Sequence, residues 1–292
     1  INISRQLWWK IRTIPFSFKK YHEMSYLVLK LKKKLKFRIN LGLLTPDKIV
    51  NKQISTIKSL KITYGKEKKE ISNFFSVSGK LKKGILLKGD LNKCDFIGDQ
   101  MEDGIIIVKG NTGDYLGNKM KGGKIIVYGS SSNYTGSSLK NGEILITKNT
   151  GDFLGSSIQG EKLGMSGGII VVKGNVGHRV GFKMRSGVIY IKGNAKDFIG
   201  CQMIAGTIIV KGKIGFNVGL LMKRGTIVLE KQKLSAPYLN YNGKNNYIFL
   251  KVIQNYLEKI SDEFKDIFPN TYIKKYLGDT NCKGMGEILI LK

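Results

Sequence analysis

Residues 104–129 read GIIIVKGNTGDYLGNKMKGGKIIVYG, and this stretch contains one copy of a 19-residue repeat and the beginning of the next. The glycines that open successive copies recur at this spacing through the middle of the chain. They are Gly104, Gly123 and Gly142 and, after a seven-residue insertion, Gly168, Gly187, Gly206 and Gly225. An earlier copy opens at Gly84, with a spacing of 20 residues. This fixed period predicts a repeat fold with seven copies and the opening strand of an eighth.

Two aliphatic columns predict how these copies pack. The first, two residues after each opening glycine, comprises Ile106, Ile125, Ile144, Ile170, Ile189, Ile208 and Ile227. The second, four residues after it, comprises Val108, Val127, Ile146, Val172, Ile191, Val210 and Leu229. Residues two apart face the same side of a strand, and a single copy cannot bury that side alone. The pattern therefore predicts an all-β fold, a right-handed parallel β-helix of 19-residue coils.

Glycine and methionine columns complete each copy. Thirteen residues after the opening glycine stand Gly117, Gly136, Gly155, Gly181, Gly200 and Gly219. Sixteen residues after it stand Met120, Leu139, Ile158, Met184, Met203 and Met222. The copy that opens at Gly84 follows one residue late, with Gly98 and Met101. The glycines are predicted at corners that exclude a Cβ atom, and the methionine column is predicted to fill the interior.

An aromatic column adjoins a column of short polar side chains. The aromatic residues are Phe96, Tyr115, Tyr134, Phe153 and Phe198, and each is preceded by an Asp or Asn at positions Asp95, Asp114, Asn133, Asp152 and Asp197. We expect each polar side chain to bond the backbone of the turn that it enters, and the rings to stack. Such repetition favours turn chemistry over general acid–base catalysis.

The segments that flank the repeats are predicted to be caps. Residues 24–80 are expected to form a small α+β N-terminal cap, residues 81–234 the repeats, and residues 235–292 a C-terminal helical cap and strand. Leu27, Leu29 and Leu31 alternate as in a strand, and Thr45 and Pro46 are typical of the start of a helix over residues 48–60. Strands are expected at residues 61–64 and 74–77. Residues 1–23 hold both tryptophans and no glycine, and are interpreted as an upstream extension.

The C-terminal part of the chain is predicted to start with a loop over residues 237–244. Apolar residues from Phe249 to Phe264 then follow helical spacing. We expect this helix to cover the last coil and hide its strand edge. Residues 286–292, GEILILK, are predicted to form a strand.

Composition limits the classes of function. The chain has 50 Lys and Arg against 21 Asp and Glu, a net charge of +29, which indicates either a polyanion-binding protein or a Lys-rich solvated surface. Three distant cysteines and only His22 and His178 argue against a disulfide framework and a zinc site, and favour a reducing cytoplasm. No apolar run approaches 18 residues, so no membrane span is expected.

No catalytic or metal-binding residues are predicted. The chain has no GxxxxGK[ST] motif, and His178 stands alone in a turn sequence. A basic column lies five residues after the opening glycines, at Lys88, Lys109, Lys173, Lys192 and Lys211, and a parallel column holds Lys121, Lys140, Arg185 and Lys223. These columns indicate either a polyanion ladder or a soluble face that blocks edge aggregation.

The stretches at 104–129 and 167–195 resemble the GXGXG solenoid family. That fold occurs in the C subunits of formylmethanofuran dehydrogenase and of the bacterial formyltransferase/hydrolase complex, and in the C-terminal domain of the large glutamate synthase subunit. The insertion GEKLGMSGG, residues 160–168, and the tail YLGDTNCKGMGEILIL, residues 276–291, are similar to these C subunits. The resemblance covers about residues 24–292.

The resemblance implies a non-catalytic structural subunit whose partners carry the active sites. The bacterial complex moves a formyl group from tetrahydromethanopterin to a methanofuran-type carrier and releases it as formate. The alternatives are a molybdenum or tungsten formylmethanofuran dehydrogenase and a free-standing glutamate-synthase-like protein. The carrier's polyglutamate-like arm implies that Lys173, Lys192 and Lys211 guide it. Nucleic acid is not an expected partner, because the aromatic residues fit the turn column and not a stacking platform. A membrane is not an expected partner either.

Overall fold

The computed structural model describes residues 26–232, 234, 236–269 and 272–291, and these residues form mainly strands. The predicted upstream extension, residues 1–23, lies outside the described residues. The strands are β1 Tyr26–Leu31, β2 Ile39–Asn40, β3 Lys61–Tyr64, β4 Glu67–Glu70, β5 Phe75–Gly79, β6 Gly84–Lys88, β7 Cys94–Asp95, β8 Ile105–Lys109, β9 Lys124–Val127, β10 Glu143–Ile146, β11 Ser166–Val172, β12 Ser186–Ile191, β13 Thr207–Val210, β14 Thr226–Leu229, β15 Tyr241–Asn246, β16 Tyr272–Leu277 and β17 Glu287–Ile290. The α-helices are α1 Pro46–Ile49, α2 Ile54–Lys58 and α3 Phe249–Glu258.

Most strands belong to one mixed sheet. In the described part of the chain it has 13 strands, in the order β15-β16-β17-β14-β13-β12-β11-β10-β9-β8-β6-β1-β5. From β6 through β8 to β14 each strand pairs in parallel with the next strand of the repeat series. A smaller sheet, in the order β4-β3-β2-β7, joins the N-terminal segment to the first repeat.

The isoleucine column stands in register across this sheet. Ile144 pairs with Ile125 and Ile170, and Ile189 pairs with Ile170 and Ile208, so equivalent positions lie one above another. Every member of the column is almost completely buried. Burial of an aliphatic side chain of this size stabilises a fold by about 1.5–3 kcal/mol. The predicted stacking of the repeats is confirmed.

The corner glycines occupy positions where a side chain would be strained. Gly117 has a φ of +64°, and a Cβ atom there would lie 2.5 Å from Cδ1 of Ile144. Gly155 has a φ of +65°, and a Cβ atom there would lie 2.5 Å from Cδ1 of Ile189. The predicted exclusion of Cβ atoms is therefore correct, and its cause is the isoleucine ladder itself.

The methionine column fills the interior as predicted, except at the position of Ile158. Met120, Met184 and Met203 are fully buried, whereas Ile158 is only half-buried. Its place is taken by Met165, whose amide donates to the carbonyl of Gly155 at 3.0 Å and whose side chain is fully buried. The seven-residue insertion leaves the stack after Ser157, so the chain re-enters the interior only at Met165.

The repeat strands β9 to β14 are buried on both faces. The residues between the two aliphatic columns are also buried, including Ile126, Leu145 and Ile209. They pack under α3 and the residues that follow it, notably Leu257 and Phe268. Parallel strands that are covered on both faces read as continuous apolar runs, as these do.

The predicted position of the C-terminal helix is wrong. Helix α3 does not hide the strand edge but lies along the outer face of the sheet, against residues of β9 to β14. The edge of β14 is paired instead by β17, in parallel register from Thr226 opposite Glu287 to Leu229 opposite Ile290. The outer face needs a covering layer because it is apolar, and the tail supplies a strand that satisfies the edge. The predicted tail strand is confirmed.

The N-terminal segment differs from its prediction in the helix. The single helix expected over residues 48–60 is divided into α1 and α2, with residues 50–53 between them. Pro46 is the first helical residue as expected, but the Thr45 side chain forms no capping hydrogen bond within the described residues. The Lys48 ammonium donates to the carbonyls of Gly42 and Asp99 at 3.0 and 2.9 Å, which holds α1 against the first repeat.

The predicted strands of this segment are confirmed, but β2 and β4 are missed here, and β15 and β16 are missed in the C-terminal part. Strand β3 has the expected bounds and β5 starts one residue later than expected. Strand β4, with the sequence EKKE, is exposed along its whole length. Strand β15 starts within the loop predicted for residues 237–244. Neither β4 nor β15 has the apolar alternation by which a strand is recognised.

Candidate functional site

The predicted lysine ladder does form a column, but its members differ in their surroundings. The backbone amides of Lys173, Lys192 and Lys211 bond successive strands one repeat apart. The Lys173 ammonium lies 2.8 Å from a carboxylate oxygen of Glu263. Lys211 pairs with Glu230 and also donates to the carbonyl of Ile267 at 3.4 Å. Lys192 between them is exposed. An anionic ligand at this column would therefore compete with two carboxylates of the protein, and Lys192 is its most accessible cation.

An aromatic ladder runs along the turns of the repeats. The ring centroids of Phe96, Tyr115, Tyr134 and Phe153 are 4.7, 5.0 and 4.7 Å apart, and successive planes are within 9° of parallel. The predicted stacking is confirmed for these four rings. Half-buried edges of the rings form a ribbon on the surface.

Arg179 continues this ladder where the aromatic pattern fails. Its guanidinium carbon lies 5.7 Å from the ring centroid of Phe153 and 5.4 Å from that of Phe198. The planar cation thus takes the place of a ring between them. The aromatic pattern missed Arg179, although it stands eleven residues after Gly168 and the period alone assigns it to the column.

The polar side chains beside the ladder bond the next repeat and not their own turn, so that prediction is wrong. An Asp95 oxygen accepts from the Asp114 amide at 2.9 Å, and an Asp114 oxygen accepts from the Asn133 amide at 3.1 Å. Each turn residue has a left-handed backbone, and the amide before it points along the stack toward the preceding side chain. A second ladder, missed from the sequence, uses Asn175 and Asn194 in the same way at 2.8 Å.

Arg38 ends the Asp ladder at the N-terminal side. Its guanidinium donates to both oxygens of Asp95, at 2.6 and 2.5 Å, and to Asp114 at 2.7 Å. The hydrogen bond with Asp95 raises the pKa of Arg38, although partial burial opposes it. A bidentate pair of this kind fixes geometry as well as charge. Nothing in the sequence around Arg38 indicates it, because the contact depends on where β2 meets the first repeat.

The nucleophilic and metal-binding candidates have structural environments. Nδ1 of His178 lies 3.3 Å from Asp197, in the turn ladder. Burial raises the pKa of the Cys94 thiol to about 12, and burial also raises the pKa of Cys201, so neither thiol ionises readily at neutral pH. Among the described residues, no cluster of three His, Cys, Asp or Glu side chains could hold a metal ion.

The described part of the chain contains no helix with the length and apolar character that a bilayer crossing requires.

Three comparisons relate this chain to known proteins. The family model described as GXGXG motif matches residues 95–289. The C subunit of tungsten-containing formylmethanofuran dehydrogenase 2 from Methanothermobacter marburgensis is 37% identical over 93 residues, which are 30% of this chain and 34% of that protein. The same subunit from Methanothermobacter wolfeii matches to the same extent. The matched part of the chain thus spans about a third of the length of these curated relatives.

A solved structure matches over a much larger part of the chain. It is the formyltransferase/hydrolase complex FhcABCD from Methylorubrum extorquens, in complex with methylofuran. The TM-score is 0.81 at 26% sequence identity, and the superposition covers 91% of this chain and 99% of the matched chain.

Proposed function

This chain belongs to the GXGXG family, and on that premise we propose that it is a non-catalytic structural subunit of a formyltransferase/hydrolase complex. The complex would transfer a formyl group to a methanofuran-type carrier and release it as formate. The observation that carries the proposal is the match to FhcABCD, because it includes nearly the whole of both chains. A likeness confined to the repeats would support the fold alone.

The side chains of the described part support a structural role. The polar groups of the turns bond neighbouring repeats, and Arg38 is committed to Asp95 and Asp114. The two cysteines with raised pKa values are buried. Active sites would then belong to partner subunits, and this chain would supply a rigid surface on which they assemble.

The second candidate is a subunit of a molybdenum or tungsten formylmethanofuran dehydrogenase. The identity of 37% to the C subunit of the tungsten enzyme favours it. The two candidates differ in what the partner subunits contain, since only the dehydrogenase requires molybdenum or tungsten.

Purification of the tagged chain from its native cell tests both candidates. We expect formyltransferase and amidohydrolase-like subunits in the purified complex, identified by mass spectrometry, with formate released from a formylated carrier. Stoichiometric molybdenum or tungsten in the same preparation would select the dehydrogenase. A chain that purifies with none of these subunits would contradict both.

We also infer the finer architecture and location. The parallel register and the 19-residue spacing support a right-handed parallel β-helix over residues 81–234, capped by residues 24–80 and 235–292. Additional bridges from Val176 to Ala195 and from Ala195 to Ile214 support a second line of stacking in each repeat. The free, buried thiols of Cys94 and Cys201 support a location in the reducing cytoplasm. A crystal structure tests the winding and its handedness directly.

A further inference from the structure

A groove separates α3 from the strand starts of the main sheet. It has a volume of about 510 Å³ and is lined by Ser186, Gly187 and Gly206 on the sheet side and by Val252, Tyr256 and Lys259 on the helix side. The two glycines leave part of the floor without side chains, so an occupant could contact the backbone of β12 and of the turn before β13 there.

Helix α3 has an exposed apolar stripe beside this groove. Ile248, Val252 and Tyr256 are 72, 64 and 43% exposed, while Leu250 and Leu257 on the opposite side are fully buried. The stripe recurs every four residues and extends about 12 Å, at 1.5 Å per residue. A helix that exposes this face to solvent would be expected to carry polar residues at these positions. A contiguous apolar surface next to a groove is typical of a site that another chain covers.

One cation lines the groove, and three more lie next to lining or paired residues in the chain. Lys259 lines it directly, and Arg185 immediately precedes the lining residue Ser186. Lys223 and Arg224 precede β14, whose Thr226 pairs with the lining residue Thr207. All four are exposed, and none forms an ion pair with a described residue.

Two carboxylates on adjoining elements, Glu143 and Glu258, offset this rim only in part. Glu143 lies close enough for its charge to raise the pKa of Tyr256, after the larger effect of burial. Its carboxylate is paired with the ammonium of Lys124 at 2.8 Å. Glu258 on α3 accepts a hydrogen bond from the neutral amide of Gln254 at 2.8 Å and keeps its charge, but the four exposed cations outnumber it. The groove therefore combines an apolar wall with a net positive rim.

We propose that this groove and the stripe of Ile248, Val252 and Tyr256 bind an acidic amphipathic segment of a partner polypeptide. Apolar side chains of the segment would cover the stripe, and its carboxylates would meet Arg185, Lys223 and Lys259. A second copy of this chain is disfavoured as occupant because each copy carries a net charge of +29. The proposal rests on the proposed function in one respect, namely that the partner is another subunit of the same complex.

Co-purification of variants from the native cell tests the partner. The variant Ile248→Asp/Val252→Asp changes two exposed side chains, and Asp at position 248 is compatible with α3 because a negative charge at a helix N-terminus is favourable. We expect this variant to retain about tenfold less partner than the wild type. The matched control is Val50→Asp, since Val50 is 57% exposed in a different part of the fold. Equal retention by wild type and double variant would overturn the proposal.

A peptide assay keeps this inference separate from the proposed function. The probes are two synthetic helical peptides of equal length with the same leucine stripe, one flanked by glutamate and the other by lysine. We expect fluorescence anisotropy to show binding of the acidic peptide alone, weakened by Ile248→Asp/Val252→Asp and by added salt. Binding that is equal for the two peptides, or unchanged in the variant, contradicts the groove proposal even if the complex purifies as proposed.

The same samples detect a different occupant. If the wild type dimerises with rising concentration and the double variant does not, a second copy covers the groove and the proposal is overturned. If the wild type purifies without partners of the formyl-transfer class, but the acidic peptide still binds as expected, the groove inference stands and the proposed function fails.

Discussion

Phe96, Tyr115 and Tyr134 adopt left-handed backbone conformations, with φ of 59, 60 and 59°. For residues other than glycine this costs about 1–2 kcal/mol each. Each aromatic pair contributes about 0.5–1.5 kcal/mol beyond its burial, so ring stacking offsets much of the strain. The left-handed conformation of one turn therefore becomes favourable only when the rings of the neighbouring repeats stack against it. This coupling explains why the aromatic residues recur in consecutive repeats.

The corner glycines give the sharpest prediction at the residue scale. We expect Gly117→Ala to lower the free energy of unfolding by about 2–4 kcal/mol, because the left-handed φ and the contact with Ile144 both oppose a Cβ atom. Gly160→Ala is the matched control, since Gly160 also has a positive φ, +84°, but a Cβ atom there meets nothing within 4 Å. It should cost only about 1 kcal/mol. Denaturant unfolding measures both, and equal losses would contradict the packing explanation.

The lysine ladder yields a prediction that concerns one residue. Lys173 is paired with Glu263, and Lys211 is paired with Glu230. Of the three lysines, Lys192 should therefore contribute most to the binding of an anionic ligand. We expect Lys192→Glu to weaken binding of the methanofuran-type carrier to the purified complex about fivefold and to reduce its salt dependence. Lys196→Glu, at another exposed lysine, is the control. Unchanged affinity and salt dependence for Lys192→Glu would remove the ladder from consideration.

At the scale of the element, one carboxylate helps to hold the insertion of residues 158–164 against the repeats. Glu161 receives a hydrogen bond from Ser138 at 2.5 Å and pairs with Lys119 at 2.6 Å. Burial raises the pKa of Glu161, but the hydrogen bonds from Lys119 and Ser138 outweigh it, and the pKa is lowered below its ordinary value of 4.5. The carboxylate form therefore stabilises the docked insertion.

The lowered pKa fixes the sign of a pH effect. A carboxyl with a lower pKa in the folded state binds its proton less readily there, so its contribution is complete above the ordinary pKa of 4.5 and is lost as pH falls below it. We expect Glu161→Gln to remove this part of the pH dependence, measured as urea midpoints between about pH 3 and 6. A Glu161→Gln profile that runs parallel to the wild type would disprove the role of the carboxylate.

The elements differ in how far the sequence could predict them. The isoleucine ladder and the glycine corners were predictable because each repeat supplies the same evidence again. The replacement of Ile158 by Met165 was not, because an insertion removes the period that identifies the column. The placement of α3 depends on the apolar outer face of the sheet. In the sequence, this face corresponds to the apolar residues between the two aliphatic columns. The groove beside α3 results from that placement, so no motif could indicate it.

At the scale of the whole molecule, a stack of parallel strands leaves an open edge at each end. The N-terminal end is closed by β1, which pairs in parallel with β6, and then by antiparallel β5. The C-terminal end is closed by β17, β16 and β15, of which β15 precedes α3 in the chain and β16 and β17 follow it. Repeat stacks require such caps because an exposed strand edge is a template for another chain. The high positive charge gives additional protection against self-association.

Removal of the C-terminal closure tests this account. A chain that ends after Phe268 retains α3 but loses β16 and β17, so the edge of β14 from Thr226 to Leu229 becomes exposed. We expect light scattering to show concentration-dependent association of the truncated chain, whereas the full chain stays monodisperse. A synthetic peptide of residues 286–292, GEILILK, should suppress the association, because it restores the parallel pairing of β17. A scrambled peptide of the same composition should not. Because the repeats upstream are unchanged, a truncated chain that remains monomeric without peptide would mean that charge alone protects the edge.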